Sequence, residues 1–395
     1  MVKNNQKIPE GWSVKKLEEC FSFLKTPSYS RAETTDSGDV HYIHYGDIHT
    51  KYPLHVFPKE IDIYVSNDQA QRGDLLKTGD LILLDASEDY EGTTKCIELM
   101  DVKDNDKIIA GLHTLALRDN ANYFTNGFRA YITSMPFVKI NFWKQVSGFK
   151  VYGVSKDNLK KLKLLLPPLA EQGKIAGILG TWDEAIEKLS DLIKQKKLLK
   201  KGLMQKLLTG KTRLNDFTQP WEDYELSDLL DYEQPTKYLV NDILKYSKEK
   251  VPVLTANKAF ILGSTDDTCG IYCKGNCIIF DDFTTDMKYV TFPFKVKSSA
   301  IKILTSKENV ILKFVFEQMK RIKYPLGGHK RNYLSEYQYI TIRVPDIAEQ
   351  TAIADVLSTA DDEINLLNKK LEALKEQKKG LMQQLLTGQT RVKVN

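Results

Sequence analysis

The sequence contains no run of about 18 uncharged apolar residues, the length that a membrane-spanning helix requires. Its beginning, MVKNNQKIPEGW, has no apolar segment of the kind that directs secretion. Cysteine is scarce, and its five residues are an odd number that reduced thiols explain better than a disulfide framework does. These absences argue against a membrane protein or a disulfide-stapled secreted protein, and we expect a cytoplasmic one.

A strong excess of charge is also missing. The formal net charge is only +5, and residues 192–213 alone carry eight Lys or Arg and no acid, so the rest of the chain is on balance acidic. Overall charge therefore does not by itself indicate a nucleic-acid-binding protein. A hydrophobic content of 42% does support packed cores, and a length of 395 residues fits two to three domains.

The chain contains one long internal repeat with an offset of 178 residues. Residues 167–213 align without a gap to residues 345–391, and about half of the aligned pairs are identical. Each copy begins with a proline and has a glycine, Gly210 or Gly388, where a helix C-cap belongs. We therefore predict that each copy forms one long helix.

Apolar residues in both copies follow the alternating steps of three and four that define a coiled-coil heptad. The seam consists of Ile175, Leu179, Trp182, Ile186, Leu189 and Ile193 in the first copy, and of Ile353, Leu357, Ile364, Leu367, Leu371 and Leu374 in the second. Lysines interrupt it at Lys196 and Lys200 in the first copy and at Lys378 in the second. Forty helical residues would form a rod of roughly 60 Å. We expect the two rods to pair antiparallel within one chain, and pairing between the chains of a homodimer is the alternative.

A domain-sized segment precedes each predicted helix. Both segments open with the same Trp-x4-Leu spacing, at Trp12 and Trp221, but their interiors do not resemble each other. Short β-rich runs recur in both, namely HYIHY, DLILLD and AYITSM in the first and CIIFDDF, YVTFPFKV and AIKILT in the second. The predicted segments are 1–166, 167–214, 215–344 and 345–395. They make an α+β fold in which a long antiparallel two-helix coiled coil separates two β-rich globular domains, with a pseudo-twofold internal repeat.

This layout resembles the specificity subunit of type I restriction–modification systems. PPLAEQ followed by a long helix that ends in KGLMQKLLTG is specific for that family, and the match covers essentially the whole chain. YIHYGDIHTKYPL in the first domain resembles one recurrent type of target-recognition domain. LTANKAFILGSTDD and FDDFTTDMKYVTFPFKVKSSAIKIL in the second domain resemble another.

The resemblance implies a non-catalytic subunit whose two target-recognition domains each read one half of a split, asymmetric DNA site. It also implies partners: double-stranded DNA, two adenine methyltransferase subunits docked on the helices and, through them, motor-nuclease subunits. S-adenosylmethionine, ATP and magnesium are then expected on the partners, and no cofactor on this chain. The sequence contains no Asn-Pro-Pro-Tyr-like methylation loop, and its LTGKT segment lacks the earlier glycine of a phosphate-binding loop, since position 205 is Gln205.

Polar side chains on predicted loops are the candidates for DNA contact, because bidentate Arg, Lys, Asn and Gln contacts specify bases. In the first domain the candidates are Tyr45, His49, Lys51, Ser87, Glu88, Tyr90, Lys95 and His113. In the second domain they are Thr255, Asn257, Lys258, Gly327, Gly328, His329, Lys330 and Arg331. The lysine-rich stretch of the first helix either follows phosphates or forms a solvated or partner-facing flank; it contains Lys194, Lys196, Lys197, Lys200, Lys201 and Lys206.

Other residue groups suggest different chemistry. Cys269, Cys273 and Cys277 recur at every fourth residue, but structural zinc sites use one close pair with a second pair elsewhere. Histidines at positions 41, 44, 49 and 55 crowd one segment, but a strand running into a loop places the first two on opposite faces. Asp286-Met287-Lys288, with an acid upstream, matches part of a nuclease signature. A metal-dependent DNA nuclease with an acidic site near Asp281 is therefore the alternative function, and a scaffold whose two domains bind proteins is a third.

Overall fold

The computed structural model describes residues 8–214, 217–240, 242–257, 259–325 and 332–394. They form two compact units. The first contains the residues up to Ser190 together with those from Lys370 onward, and the second contains Asp191–Lys369. Each unit therefore contains one β-rich domain, half of one long helix and the opposite half of the other.

Two helices of 39 residues each dominate the helical content. The α-helices, in chain order, are α1 (Leu17–Cys20), α2 (Tyr45–Thr50), α3 (Asn67–Ala70), α4 (Pro136–Trp143), α5 (Lys156–Lys160), α6 (Leu169–Leu207), α7 (Leu226–Leu229), α8 (Leu312–Met319) and α9 (Ile347–Leu385). The short 3-10 helices are Arg31–Glu33, Pro58–Glu60, Glu91–Thr94, Arg129–Ser134, Pro235–Tyr238 and Tyr337–Tyr339.

The strands are short and lie in both domains. In the first domain they are β1 (Ser13–Lys16), β2 (Phe21–Phe23), β3 (Val40–Ile43), β4 (His55–Val56), β5 (Tyr64–Val65), β6 (Leu81–Leu84), β7 (Ala86–Ser87), β8 (Cys96–Leu99), β9 (Ile108–Ala110), β10 (Thr114–Asp119), β11 (Tyr152–Gly153) and β12 (Lys163–Leu166). In the second they are β13 (Glu222–Glu225), β14 (Leu230–Glu233), β15 (Val251–Leu254), β16 (Ile261–Thr265), β17 (Cys277–Asp281), β18 (Met287–Val290), β19 (Lys295–Val296), β20 (Ile301–Ser306) and β21 (Thr341–Val344).

The first domain is built around a five-stranded sheet in the order β2-β10-β6-β8-β4 and a three-stranded sheet in the order β5-β3-β9. Strand β1 pairs antiparallel with β12, which places Ser13 opposite Leu166 and brings the start of the domain to its end. The main core packs Leu81, Phe128 and Phe142 together with residues from both long helices. The helices are therefore part of the hydrophobic core of this unit. Burial of apolar surface is the dominant favourable term in folding.

The second domain has a different arrangement, with a four-stranded sheet in the order β14-β20-β17-β18 and a three-stranded sheet in the order β16-β15-β19. Strand β13 pairs antiparallel with β21, which places Glu222 opposite Val344 and closes this domain in the same manner as the first. Its core packs Ile278, Leu304 and Phe314 against residues of both long helices. The two domains therefore differ in their sheets and share the way that they are joined to the helices.

The two long helices pair antiparallel in each unit. In the first unit, Ile175 at the beginning of α6 and Leu385 at the end of α9 belong to one buried cluster. In the second unit, Leu207 at the end of α6 and Ile353 at the beginning of α9 belong to another. The predicted α+β fold with an antiparallel two-helix coiled coil inside one chain is thereby confirmed.

A buried glutamate anchors each domain to its helix. In the first unit, the Glu171 carboxylate accepts a hydrogen bond from Trp12 Nε1 at 3.0 Å and two from the Arg391 guanidinium at 2.8 Å. In the second unit, Glu349 accepts one from Trp221 Nε1 at 3.0 Å and two from Arg213 at 2.6 Å. Bidentate arginine–carboxylate pairs are among the stronger hydrogen-bonded contacts in proteins. The shared opening tryptophans of the two domains thus have the same structural role.

Two local predictions are wrong. The run AYITSM, predicted as a strand, lies in the 3-10 helix Arg129–Ser134, where Ala130, Tyr131 and Ile132 are all buried instead of alternating in and out. Burial on every side overrides the β propensity of these residues. The segment after β3, predicted as a loop, is the helix α2, which the N-cap residue His44 begins.

Candidate nucleic-acid interface

The first group of candidate DNA-contacting residues lies on α2. His44 Nδ1 accepts a hydrogen bond from Gly46 N at 3.2 Å, which caps the helix. Burial lowers the pKa of His44, so its ring stays neutral and keeps this acceptor. Tyr45 and His49 are four residues apart and therefore lie on the same face of α2, with ring centroids 6.4 Å from each other.

His113 approaches this face of α2 from the turn between β9 and β10. Its backbone is left-handed, with φ at 57°. Its ring meets Tyr45 edge-on at 5.3 Å, and its Nδ1 lies 3.1 Å from Asp85 Oδ1. Lys95 Nζ donates to the His49 carbonyl at 2.9 Å. The structure thus brings together Tyr45, His49, Lys95 and His113, which we call the first-domain cluster.

The electrostatics of the first-domain cluster suit contact with base edges. Burial, followed by the nearby Lys95 ammonium, lowers the pKa of His49. A neutral imidazole carries one donor and one acceptor, whereas the charged form has only donors. His49 and Lys95 of the cluster line a cleft of about 540 Å³, whose lining contains both lysines and carboxylates. Gly92 lets the adjoining loop approach α2, since a Cβ there would lie 2.5 Å from Ser87 Oγ and 3.1 Å from His49 Cε1.

The other first-domain candidates are placed around this cluster or away from it. Ser87 is buried, and its Oγ accepts a hydrogen bond from Asp89 N at 3.1 Å, while Glu88 is exposed. The Tyr90 hydroxyl donates to the Trp143 carbonyl at 3.1 Å, so its ring is fixed although 40% exposed. The Lys51 ammonium forms an ion pair with Asp62, so it is not part of the first-domain cluster.

In the second unit, Asn257 lies beside the turn that joins β17 to β18. Asn257 Oδ1 accepts a hydrogen bond from Thr284 Oγ1 at 3.3 Å, and the buried Thr255 precedes it. The Asp281 carboxylate accepts from the backbone N–H groups of Phe283 and Thr284, both at 3.0 Å, which fixes the turn. Lys258, Gly327, Gly328, His329, Lys330 and Arg331 lie outside the described residues.

Sequence reasoning missed the turn residues Phe283 and Thr284. The Phe283 ring is 39% exposed at the tip of a β-hairpin, and Thr284 contacts the predicted residue Asn257. The signal for the turn was present, since DDFTTD between two β-rich runs is rich in residues that form turns. That this turn lies beside residues 255–257 depends on the pairing of strands and is not visible in the sequence.

The acidic residues of the alternative nuclease site have structural partners. One Asp281 oxygen caps the turn, as described above, and Asp282 Oδ1 accepts from Tyr333 N at 2.7 Å. Asp282 Oδ2 lies 3.3 Å from Lys302 Nζ, and both side chains are buried. Asp282 and one oxygen of Asp281 are therefore engaged by protein groups, and no group of His, Cys, Asp or Glu side chains among the described residues could hold a metal ion there.

The cysteines do not converge on one site. Cys269 and Cys273 are exposed, whereas Cys277 lies in the buried strand β17, where burial raises its pKa to about 12. Within the described ranges, no three His, Cys, Asp or Glu side chains are arranged to hold a metal ion. None of the helices in those ranges is long and apolar enough to cross a membrane.

The predicted seam residues line the helix pair to different depths. Ile175, Leu179, Leu189, Ile193, Ile353, Leu357, Ile364 and Leu371 are buried, whereas Trp182, Ile186, Leu367 and Leu374 are half-buried. In the lysine-rich stretch, Lys196 pairs with Glu363 at 2.6 Å and Lys200 with Asp361, both within the second unit. Lys197, Lys201 and Lys206 are exposed. The stretch thus divides into lysines engaged across the helix pair and lysines on its surface.

Comparison with known proteins agrees with this architecture. The chain is 45% identical to the specificity subunit of the Escherichia coli enzyme EcoR124I/EcoR124II over 126 residues, which cover 30% of this chain and 31% of that protein. It is 26% identical to the putative MjaX specificity subunit of Methanocaldococcus jannaschii, over 98% of this chain and 95% of that one.

A solved structure has a similar fold. The S subunit of the type I restriction–modification system from M. genitalium superimposes with a TM-score of 0.63 at 15% identity, over 97% of this chain and 98% of that chain. The family of type I restriction modification DNA specificity domains matches residues 9–196 and 218–376. Two copies of that domain account for most of the sequence, and the chain therefore belongs to the type I restriction–modification specificity subunit family.

Proposed function

We propose that this specificity subunit reads a two-part, asymmetric DNA sequence, one half with each β-rich domain. The proposal depends on one observation: the two domains differ from each other, but each is attached to the long helices in the same way. The domains differ in sequence and in sheet order, yet Glu171 and Glu349, 178 residues apart, hold them through the same tryptophan and arginine contacts. Different readers on equivalent attachments suit a target whose two halves differ.

The described residues support one DNA-contacting surface on each domain. On the first domain we propose the first-domain cluster, with Ser87, Glu88 and Tyr90 on the adjoining loop. On the second we propose Thr255 and Asn257 together with the Phe283–Thr284 turn. Polar groups on fixed elements can read base edges in the major groove, and an exposed aromatic ring can contact a thymine methyl group.

Methylation and cleavage are then assigned to other subunits. The relatives are named as specificity subunits of type I restriction enzymes, which supports a non-catalytic chain that works in a larger assembly. The repeated helices offer two similar surfaces, which supports two copies of an adenine methyltransferase and, through them, motor-nuclease subunits. S-adenosylmethionine, ATP and Mg²⁺ would be held by those partners, and we place the assembly in the cytoplasm, where its DNA is.

Mapping methylated adenines in the genome tests this function. We compare cells that carry the gene, cells that lack it and cells in which it is restored. One motif with two defined halves and an undefined gap should disappear on deletion and return on restoration. An unchanged set of methylated motifs would contradict the proposal.

An assay of the purified chain distinguishes the proposed recognition function from the alternative function as a nuclease. With Mg²⁺ and S-adenosylmethionine, the chain alone should neither cut nor methylate duplex DNA. Asp281→Asn provides the matched control, because Asp281 is the residue on which the alternative depends. If the wild-type chain cut DNA and Asp281→Asn did not, the nuclease function would replace the one proposed here.

A further inference from the structure

In each unit, a buried lysine of one long helix forms an ion pair with an aspartate of the other, at equivalent positions of the repeat. In the first unit, Lys378 of α9 forms an ion pair with Asp183 of α6. In the second unit, Lys200 of α6 forms an ion pair with Asp361 of α9. The two aspartates are 178 residues apart, as are the two lysines, and each lysine is less than 10% exposed.

In each unit, the β-rich domain also contributes a donor to the aspartate of this ion pair. In the first unit, the Tyr131 hydroxyl donates to Asp183 Oδ2 at 2.6 Å, and the Lys378 ammonium lies 5.6 Å above the Tyr131 ring. In the second unit, Lys313 Nζ of α8 lies 3.1 Å from Asp361 Oδ2. Each aspartate therefore joins three elements: its own helix, the opposite helix and the domain.

The protonation states keep these contacts in place at neutral pH. Burial, followed by the charge of Asp183, raises the pKa of Tyr131, so the hydroxyl retains its proton and remains a donor. Burial opposes the charged form of Asp361, but Lys200 and Lys313 hold its pKa below the ordinary value. Lys313 also lies 3.0 Å from Glu317, which is fully buried. The Asp361 carboxylate is therefore a charged acceptor at neutral pH.

The two donors come from segments that are not related. Tyr131 belongs to a 3-10 helix in AYITSM, and Lys313 belongs to α8 in LKFVFEQM, and neither segment is part of the repeat. Buried ion pairs contribute little net stability compared with well-packed apolar residues, and their best-attested use is to fix register. Two dissimilar domains contact equivalent carboxylates through different chemical groups. This indicates that the position of each domain on its helices is what must be kept.

We propose that Tyr131 and Lys313 are positioning residues: each fixes the orientation of its domain on the helix pair and so sets the gap between DNA half-sites that the subunit accepts. This inference rests on the proposed function. Successive base pairs are separated by about 3.4 Å along the duplex and by about 35° of rotation. A domain free to pivot by a few ångströms at its reading surface would therefore tolerate a gap one base pair too long or too short.

The test uses the full chain in complex with its methyltransferase. The probes are duplexes that carry the motif read from genomic methylation, with the gap at its native length and at one base pair more or less. In Tyr131→Phe and in Lys313→Met, the preference for the native gap should fall about tenfold, the factor that corresponds to about 1.4 kcal/mol. Lys313→Arg, which retains the charge, should keep the wild-type preference.

Tyr29→Phe is the matched control for the tyrosine, because it removes a buried hydroxyl that donates to the Gln69 carbonyl at 3.2 Å within the domain. Lys250→Met is the control for the lysine, since it breaks the exposed pair with Asp266. Both controls should keep the native preference, and thermal unfolding is followed for every variant.

An unchanged gap preference in folded Tyr131→Phe and Lys313→Met would overturn the positioning role and leave these contacts as ordinary stabilising ones. If Tyr131→Phe did not fold, the comparison of Lys313→Met with Lys313→Arg would decide the matter. A wild-type complex with no preference among the three gaps would instead contradict the proposed function, and the inference would fall with it.

Discussion

At the scale of single residues, the attachment of each domain depends on one buried carboxylate. Glu349 is fully buried and accepts three hydrogen bonds, from Trp221 and from the two donors of Arg213. Burying a charge is costly unless it is paired and hydrogen-bonded. Removing the carboxylate therefore leaves the indole N–H without its acceptor and the Arg213 guanidinium with only the Gln219 carbonyl.

Glu349→Ala should lower the free energy of unfolding by about 3 kcal/mol, the lower end of the range for breaking a buried pair, because Arg213 is partly exposed. Chemical denaturation followed by tryptophan fluorescence measures the loss. Glu363→Ala on the same helix removes an exposed carboxylate paired with Lys196 and should cost about 1 kcal/mol or less. Equal losses in the two variants would contradict the anchoring role of Glu349.

At the scale of elements, a glycine in the left-handed conformation lies three residues after the last residue of each long helix, with φ at 67° for Gly210 and 70° for Gly388. The surroundings of the two glycines differ. A Cβ at Gly388 would lie 2.5 Å from Pro9 Cγ, whereas a Cβ at Gly210 would lie 3.5 Å from the Trp221 ring, an ordinary contact. Equivalent helix ends therefore tolerate a side chain differently.

Gly210→Ala should cost about 1 kcal/mol, the price of the left-handed backbone. Gly388→Ala should cost more, because Pro9 must also move. Melting temperatures of the two single variants and of the wild-type chain provide the comparison. If the melting temperature fell as much or more in Gly210→Ala as in Gly388→Ala, the close approach of Pro9 would have no energetic consequence.

The lysine-rich stretch of α6 is the second feature at this scale. Lys197, Lys201 and Lys206 are exposed, whereas Lys200 is engaged by Asp361. If the exposed lysines contact phosphates, replacing all three with Gln should make the negative slope of log K against log salt shallower by about 0.9 for each lost contact. The preferred sequence should not change. Salt titration of DNA binding measures the slope. An unchanged slope would assign these lysines to a solvated or partner-facing surface instead.

At the scale of the whole molecule, the repeat separates what is shared from what varies. The shared parts are the helices with their Trp–Glu–Arg and Lys–Asp contacts, and the varied parts are the domains between them. Strand pairs β1–β12 and β13–β21 close each domain next to its helix. A domain closed in this way can be exchanged as one unit that includes its two closing strands.

Exchanging residues 220–344 for the corresponding domain of another specificity subunit should change one half of the methylated motif and leave the other half as it was. The reason is that the exchanged segment contains the second reading surface, and the first-domain cluster lies entirely outside it. Mapping of methylated adenines measures both halves at once. A change in both halves would show that the domains do not read independently.

The sequence alone determined the repeat, the long helices and the family, because heptad periodicity and a 47-residue echo can be read directly from the order of residues. It left pairing within one chain and pairing between the chains of a homodimer both open, and the buried clusters of the tertiary structure decided for the former. The sequence also named Tyr45, His49 and His113 as candidates, although it predicted a loop where the structure has α2. It could not show that Tyr45, Lys95 and His113 meet, that the Phe283–Thr284 turn lies beside Asn257, or that AYITSM is helical. Those facts follow from strand pairing and from burial on all sides, which join residues far apart in the chain, so only the tertiary structure decided them.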